Sequence, residues 1–338
     1  MKFAIVGCGR IFKKHSDVFK SKKIQGINLI SVCDININKA KLASSQMKVP
    51  FYIDMDKMMK YENPDVVVIL TESGNHYKHI KRLSKYKKNI IVEKPLALKT
   101  THAKKIIQIA KKNNIKIFVV KQNRFNLPIV KLREAFDKKR FGKIFMGTVR
   151  VRWCREQRYY NQDKWRGTKK YDGGVYANQA SHHIDMLLWF LGKVKSVYAK
   201  GIKAIADIEC EDTVIAVLKF KSGAIGSIEA TTATRPKDLE GSISLLGNKG
   251  SVVVGGFAMN KINDWYFNKG KKIDQTIQSF SSNPKTVYGF GHFEFYKNIV
   301  NHLQYNKKIT ITLEEGLDTV KVIEAISDSI NQNKEIYI

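Results

Sequence analysis

Acidic residues are scarce in this chain: 30 Asp plus Glu stand against 60 Lys plus Arg, a formal charge of +30 at pH 7. A field of that sign draws phosphates and other polyanions from solution, which raises nucleic acid as a ligand. Arginine is scarce too. It supplies 11 of the basic residues against 49 lysines, and the sequence has no Arg-rich block, basic tail or helix-turn-helix signature, so no specific nucleic acid is expected as a partner. Cysteine occurs four times, at Cys8, Cys33, Cys154 and Cys210. Those spacings exclude paired CxxC metal ligands and a disulfide framework and fit a reducing cytoplasm. No stretch of about 18 apolar residues is present, and the apolar start of MKFAIVGCGR is shorter than a signal-peptide core. A soluble cytoplasmic protein without membrane insertion is expected.

What is present is enough to fold twice over. At 338 residues, with 43% hydrophobic and 10% aromatic residues, the chain exceeds one compact core and predicts two domains. Apolar runs KFAIV (2–6), NLISVC (28–33), VVVIL (66–70), NIIV (89–92) and IKIFVV (115–120) alternate with amphipathic helical stretches. This is the grammar of a parallel βα sheet, a Rossmann-like α/β domain over residues 1–122. From 123 the pattern changes to a helix, a strand at 143–153, a long aperiodic segment at 154–174 and an apolar helix at about 175–191. Alternating stretches beyond 194 then predict an α+β domain, 123–338, with a mostly antiparallel open sheet. Helical patterns at about 292–303 and 314–330 can cover that sheet or return to the first domain.

The run GCGRIF (7–12) places Gly7 and Gly9 where a tight turn brings backbone against a pyrophosphate at a helix N-terminus. Phe12 stands at the usual third glycine and weakens the fingerprint. Asp34, directly after the second strand, is positioned to accept hydrogen bonds from the adenosine ribose of NAD and would repel the extra phosphate of NADP, although Lys39 and Lys41 are near. In TESGNHYKH (71–79), Asn75 and His76 have turn and cap roles as alternatives to cofactor contact.

The combination of GCGRIF, IIVEKPLAL and DGGVYANQASHHIDMLLWFLG resembles the glucose-fructose and myo-inositol dehydrogenase superfamily of two-domain oxidoreductases, over essentially the whole chain. The resemblance makes Lys94 of the EKP motif the lysine beside the nicotinamide and His182 the acid/base histidine, suited to exchange protons near neutral pH. Asn178, four residues before His182, would share its helical face and orient substrate. Many sugar dehydrogenases of the superfamily carry aspartate there. Asp185 is a possible orienter, whereas His183 and His292 are expected to be structural. No catalytic metal is expected, since HExxH and dense cysteine patterns are missing.

The stretch YYNQDKWRGTKKYDGGVYANQASHHID (159–185) is similar to the branch that oxidises UDP-linked N-acetylated sugars at C3, with the N-acetylglucosaminuronate as the first choice of substrate. The segment NPKTVYGFGHFEFYKNIV (283–300) resembles the same branch. The likeness implies NAD contacts from Gly7, Gly9, Arg10, Ile11 and Asp34, from Thr71, Asn75, His76, Glu93 and Lys94, and from Gln122, Trp165 and Arg166. Substrate contacts are implied for Lys94, Asn123, Arg124, Arg155, Arg158, Tyr160, Asn178, Gln179 and His182. Guanidinium groups suit carboxylate or diphosphate. An oxo-acid reoxidant and a homo-oligomer, tetramer or dimer, are further implications. A free sugar or polyol dehydrogenase and a noncatalytic NAD-bound sensor are the alternatives.

Overall fold

The computed structural model describes residues 1–282, 287 and 289–338. Positions 283–286 and 288 of the segment singled out at 283–300 lie outside the described residues. The chain forms two compact units: Met1–Val120 with His292–Leu317, and Lys121–Gly291 with Asp318–Ile338.

The first unit is built on a six-stranded sheet of β1 (Lys2–Val6), β2 (Asn28–Cys33), β3 (Phe51–Tyr52), β4 (Val66–Ile69), β5 (Asn89–Val92) and β6 (Ile117–Val119), in the order β3-β2-β1-β4-β5-β6. Every pairing is parallel. That order reverses direction beside β1 and is the dinucleotide-binding arrangement, with ligands taken at the carboxyl ends of the strands. Strand β4 and the apolar positions of β1 and β5 are fully or nearly fully buried, as a sheet covered on both faces requires. The crossovers are α1 (Phe12–Lys20), α2 (Ile37–Met47), α3 (Met55–Glu62), α4 (His76–Leu83) and α5 (Thr100–Asn113). Asn36 caps α2, accepting from the amides of Asn38 and Lys39 at 3.0 and 3.1 Å, and Asp54 caps α3 through the Lys57 amide at 2.9 Å.

The second unit holds an eight-stranded sheet of β7 (Ile144–Arg152), β8 (Val194–Ile202), β9 (Thr213–Phe220), β10 (Ile225–Thr231), β11 (Glu240–Gly247), β12 (Gly250–Gly255), β13 (Lys261–Phe267) and β14 (Ile336–Tyr337). Its order is β13-β12-β11-β7-β10-β9-β8-β14. All neighbours are antiparallel except β7 and β10. Its helices include α6 (Leu127–Asp137), α7 (Gln157–Asn161), α8 (Gly174–Asn178) and α9 (Ser181–Leu191), and α9 lies against β7 and β11. The opposite face is open. Ile215, Val217 and Ile225 are exposed there, around Arg150 and Arg152 interleaved with Glu229 and Glu240.

Two expectations change. The chain does not cross once between units, because α10 (His292–Tyr305) belongs to the first, where it meets α1, and α11 (Leu313–Gln332) is divided at Leu317. The driving contact is aromatic: Tyr296 of α10 is fully buried against Phe3 and Phe19. The apolar helix expected over 175–191 is two helices. The amides of Gln179 and Ala180 both bond Val175 O, each at 2.9 Å, so the ladder loses its register after Asn178.

Candidate active site

The glycine turn in the first unit is shaped for a ligand. Gly7 has φ +101, and a Cβ there would come within 2.8 Å of the Leu70 backbone, so no other residue fits. At Gly9 a Cβ would meet nothing within 4 Å; the room beside this backbone is open, as pyrophosphate binding requires. Helix α1 then begins at Phe12, after Ile11, without a side-chain cap, which leaves its amide end for an anion. Phe12 is buried rather than disruptive. The Asp34 carboxylate accepts from the Cys8 and Asn36 amides, both at 2.8 Å. Since Asn36 caps α2, Asp34 is left to tie the end of β2 to the glycine turn. Open space at Gly9, an uncapped helix start and a half-buried carboxylate form a donor and acceptor set that fits NAD.

The loop after β4 is more structural than its sequence implies. His76 is fully buried with Nδ1 2.8 Å from Pro95 O and Nε2 3.0 Å from Thr71 O. Burial lowers its pKa against the pull of both carbonyls, so a neutral ring donates to one at a time and ties the β4 loop to the EKP turn. This replaces the expected contact of His76 with cofactor. Thr71 Oγ1 meets His79 Nδ1 at 2.9 Å, and Asn75 donates to Glu72.

Lys94 sits half-buried at the carboxyl end of β5. Glu93 before it is buried, with Oε1 2.9 Å from His15 Nε2 and Oε2 accepting the Lys94 amide at 3.1 Å. Burial alone would raise the Glu93 carboxyl, but the hydrogen bond and charge of His15, with Lys94 and His292 adding, bring it down to about 2. His15 Nδ1 lies 2.7 Å from the Tyr296 hydroxyl. Donor atoms of His15, Glu93 and His292 fall within 4.8 Å of one another, a spacing a metal could bridge. Both ring nitrogens of His15 are already engaged, so a cation would have to break the His15–Glu93 bond.

In the second unit, Gln122 lies in a short turn after the boundary. Its side-chain amide lies 3.1 Å from His182 Nε2, a hydrogen bond that fixes the plane of the ring. His182 enters from the first turn of α9. Asp185, one turn further, is buried and accepts from Lys121 and from Arg124 Nε and Nη2 at 2.9 and 2.8 Å. Burial would raise this carboxyl; the Arg124 and Lys121 charges bring it down to about 2. Arg124 also stacks on Trp189 at 4.6 Å and is 2% exposed. Its expected substrate contact gives way to an interior ion pair that anchors α9. Around His182, buried polar atoms lack partners at Gln122 Oε1, Asn123 Oδ1, Ser181 Oγ and both nitrogens of His183. Unsatisfied groups on this scale are costly unless a ligand or water answers them. His183 packs edge-on against Trp153, and burial drives it down to about 3.

The loop arginines and aromatics separate by environment. Arg166 Nη1 donates to Tyr159 OH at 2.7 Å and Nε reaches Asp163 at 3.1 Å, while its guanidinium stacks on Tyr159 and Trp165. Gln179 Nε2 donates to the same Tyr159 oxygen at 3.1 Å. Arg155 is held by Asp238 at 2.8 Å, and Arg158 is 85% exposed beside Glu156. Tyr160 is buried with its hydroxyl 2.8 Å from Thr232 Oγ1, an interior hydrogen bond in place of the expected substrate contact, and Tyr159 is the half-buried hub of the cluster. The turn before α8 uses positive φ at both Gly173 and Gly174. His15, Tyr296 and Lys121 are further functional-looking residues, and their partners lie 64 to 281 positions away, so no local spacing marks them in the sequence.

Two family descriptions match the chain: "Oxidoreductase family, NAD-binding Rossmann fold" over residues 1–121 and "Oxidoreductase family, C-terminal alpha/beta domain" over 133–338. The WlbA dehydrogenase from Bordetella pertussis, solved with NADH and UDP-GlcNAcA, is 36% identical with TM-score 0.96, covering 100% of this chain and 97% of that one. The WlbA dehydrogenase from Chromobacterium violaceum, solved with the same two ligands, is 36% identical with TM-score 0.94, covering 100% and 96%. Myo-inositol 2-dehydrogenase from Thermotoga maritima is 26% identical over 262 residues, 75% of this chain and 74% of the relative.

Proposed function

The chain belongs to the oxidoreductase family that pairs an NAD-binding Rossmann fold with a C-terminal α/β domain, and from that premise we propose that it oxidises C3 of a UDP-linked N-acetylated sugar acid, UDP-N-acetylglucosaminuronate. The full-length likeness to two WlbA dehydrogenases bound to UDP-GlcNAcA supports this substrate most directly. Bound NAD supplies the two-electron acceptor. The sugar loses the C3 hydrogen as hydride and the hydroxyl proton to His182, so that C–OH becomes C=O and NAD becomes NADH. The Gln122 side-chain amide, 3.1 Å from His182 Nε2, orients the ring, and the Lys94 ammonium steadies the reacting oxygen as negative charge develops. Asn178, Asn123 and Gln179 orient the sugar, while Arg155, Arg158 and Arg166 supply positive charge for carboxylate and diphosphate.

No described helix is long and apolar enough to cross a membrane. We place the enzyme in the cytoplasm as a homo-oligomer, a tetramer or a dimer, formed through the open face of the eight-stranded sheet, with an oxo acid reoxidising NADH. A free polyol is the second reading, favoured by the likeness to myo-inositol 2-dehydrogenase.

The test is purification, identification of any retained nicotinamide, and turnover with UDP-N-acetylglucosaminuronate, UDP-N-acetylglucosamine and myo-inositol, an oxo acid being present in case NADH is tightly held. A 3-keto product from the sugar acid is expected. Robust oxidation of myo-inositol with neither nucleotide sugar turned over would sink the substrate proposal. His182→Ala and Lys94→Ala should each slow hydride transfer by about 10²–10⁴-fold with the fold intact.

A further inference from the structure

A buried polar line in the first unit ends at the EKP turn and joins side chains to which the proposed reaction gives no role. Tyr296 OH meets His15 Nδ1 at 2.7 Å, His15 Nε2 meets Glu93 Oε1 at 2.9 Å, and Glu93 Oε2 accepts the Lys94 amide at 3.1 Å. Tyr296, His15 and Glu93 are 0%, 0% and 7% exposed. We propose that Tyr296, His15 and Glu93 form a positioning relay for Lys94. The proposal rests on the reading of Lys94 as the residue that steadies the reacting oxygen.

The geometry has two consequences. A carboxylate held at both oxygens cannot swing, so the bond from Oε2 to the Lys94 amide fixes the direction in which the next side chain leaves β5. The same carboxylate keeps a negative charge one residue behind the ammonium and so favours its charged form. Without His15, a buried carboxylate would retain one donor and would take up a proton at higher pH; the neutral acid would hold Lys94 less firmly. The titratable groups facing this carboxylate are His15 on α1, Lys94 on the same turn, and His292 and Tyr296 on α10, with His76 acting across the EKP turn. His292 stays neutral, driven down to about 3 by burial and then by His15. It lies edge-on to the His15 ring, centroids 5.2 Å apart.

His15→Ala, His15→Gln and Tyr296→Phe would be prepared in the full-length protein, with single-turnover NAD reduction followed by absorbance from pH 5 to 9 using whichever alcohol the parent oxidises. His15→Ala is expected to slow the hydride step by roughly 10–100-fold, a positioning-sized loss, with KM little changed and the acid limb of the rate profile moved to higher pH. His15→Gln, which keeps an amide donor for Glu93, should recover most of the rate. Tyr296→Phe should lose about 2–5-fold, the size of one neutral hydrogen bond. Parental rate and pH profile in a folded His15→Ala or His15→Gln protein with only a lowered Tm would reduce the line to a structural one. Stoichiometric metal bound to the parent and absent from His15→Ala would overturn it as well, since the ion would replace the His15–Glu93 bond. Lys94→Ala run alongside separates the two ideas: if it is unimpaired, the reading of Lys94 fails; if it is impaired and His15→Ala is not, the relay alone fails.

Discussion

Each unit carries one buried carboxylate next to a candidate catalytic side chain, and the two are held in different ways. Asp185, one turn along α9 from His182, is clamped by two basic side chains, Lys121 and Arg124. Glu93, adjacent to Lys94, is clamped by a histidine and a backbone amide. Both carboxyls are brought down to about 2, one by an ammonium and a guanidinium and the other chiefly by an imidazole ring. The Asp185 cluster is therefore an ion-pair anchor for a helix, whereas the Glu93 line is a hydrogen-bond array that runs through an imidazole ring to Tyr296.

The sharpest way to break this contrast is Asp185→Asn. Removing the charge leaves Lys121 and Arg124 buried and uncompensated, which costs about 3–5 kcal/mol for such sites. Chemical denaturation should show that loss, or the protein should fail to accumulate. Glu93→Gln keeps an amide within hydrogen-bond reach of His15 and leaves no pair of basic side chains stranded, so its loss should be about 1–3 kcal/mol, with activity falling more than stability. An equal stability loss for the two variants would erase the distinction drawn between anchor and relay.

Acid separates them next. For both groups the folded pKa lies below the unfolded one, so the unfolded chain takes up protons first as pH falls. The stability they contribute is complete above about pH 5, and it drains away toward pH 2. Thermal melts should be flat from neutrality to mild acid and then drop. Glu93→Gln should remove part of that drop, and an unchanged acid limb in this variant would contradict the depressed carboxyl.

Smaller effects belong to the ligand-facing rim. Asp34→Ala should weaken NAD by about tenfold, the scale of one charge-assisted hydrogen bond, without altering sugar affinity; calorimetric titration of NAD checks this. Smallest is the long-range field of the +30 chain: raising salt should lower the association rate of the anionic sugar nucleotide severalfold, because screening lengths shrink to a few Å near 1 M. A salt-independent rate would detach the charge from substrate capture.

Legibility follows sequence distance. The strands of the parallel sheet were readable because VVVI and NIIV are short apolar runs between helical patterns, and Gly7 because a turn after β1 has few alternatives. The break between α8 and α9 was not readable, since nothing in ANQAS differs from an ordinary helix until Ala180 bonds Val175. Arg124, Arg155 and Arg166 look alike as letters. Their separation into an interior anchor, a loop clamp and an aromatic stack depends on Asp185, Asp238 and Tyr159, which lie from 7 to 83 residues away.

Local pattern was sufficient for the two architectures and the dinucleotide turn, because strand period and glycine stereochemistry act over a few residues. Pairing needed the folded chain. His15 reaches Glu93 across 78 positions and Lys121 reaches Asp185 across 64, and α10 returns to the first unit because Tyr296 finds its apolar partners there. Burial removes water as a competing hydrogen-bond partner, and that converts residues unremarkable in sequence into the supports of the two candidate catalytic groups.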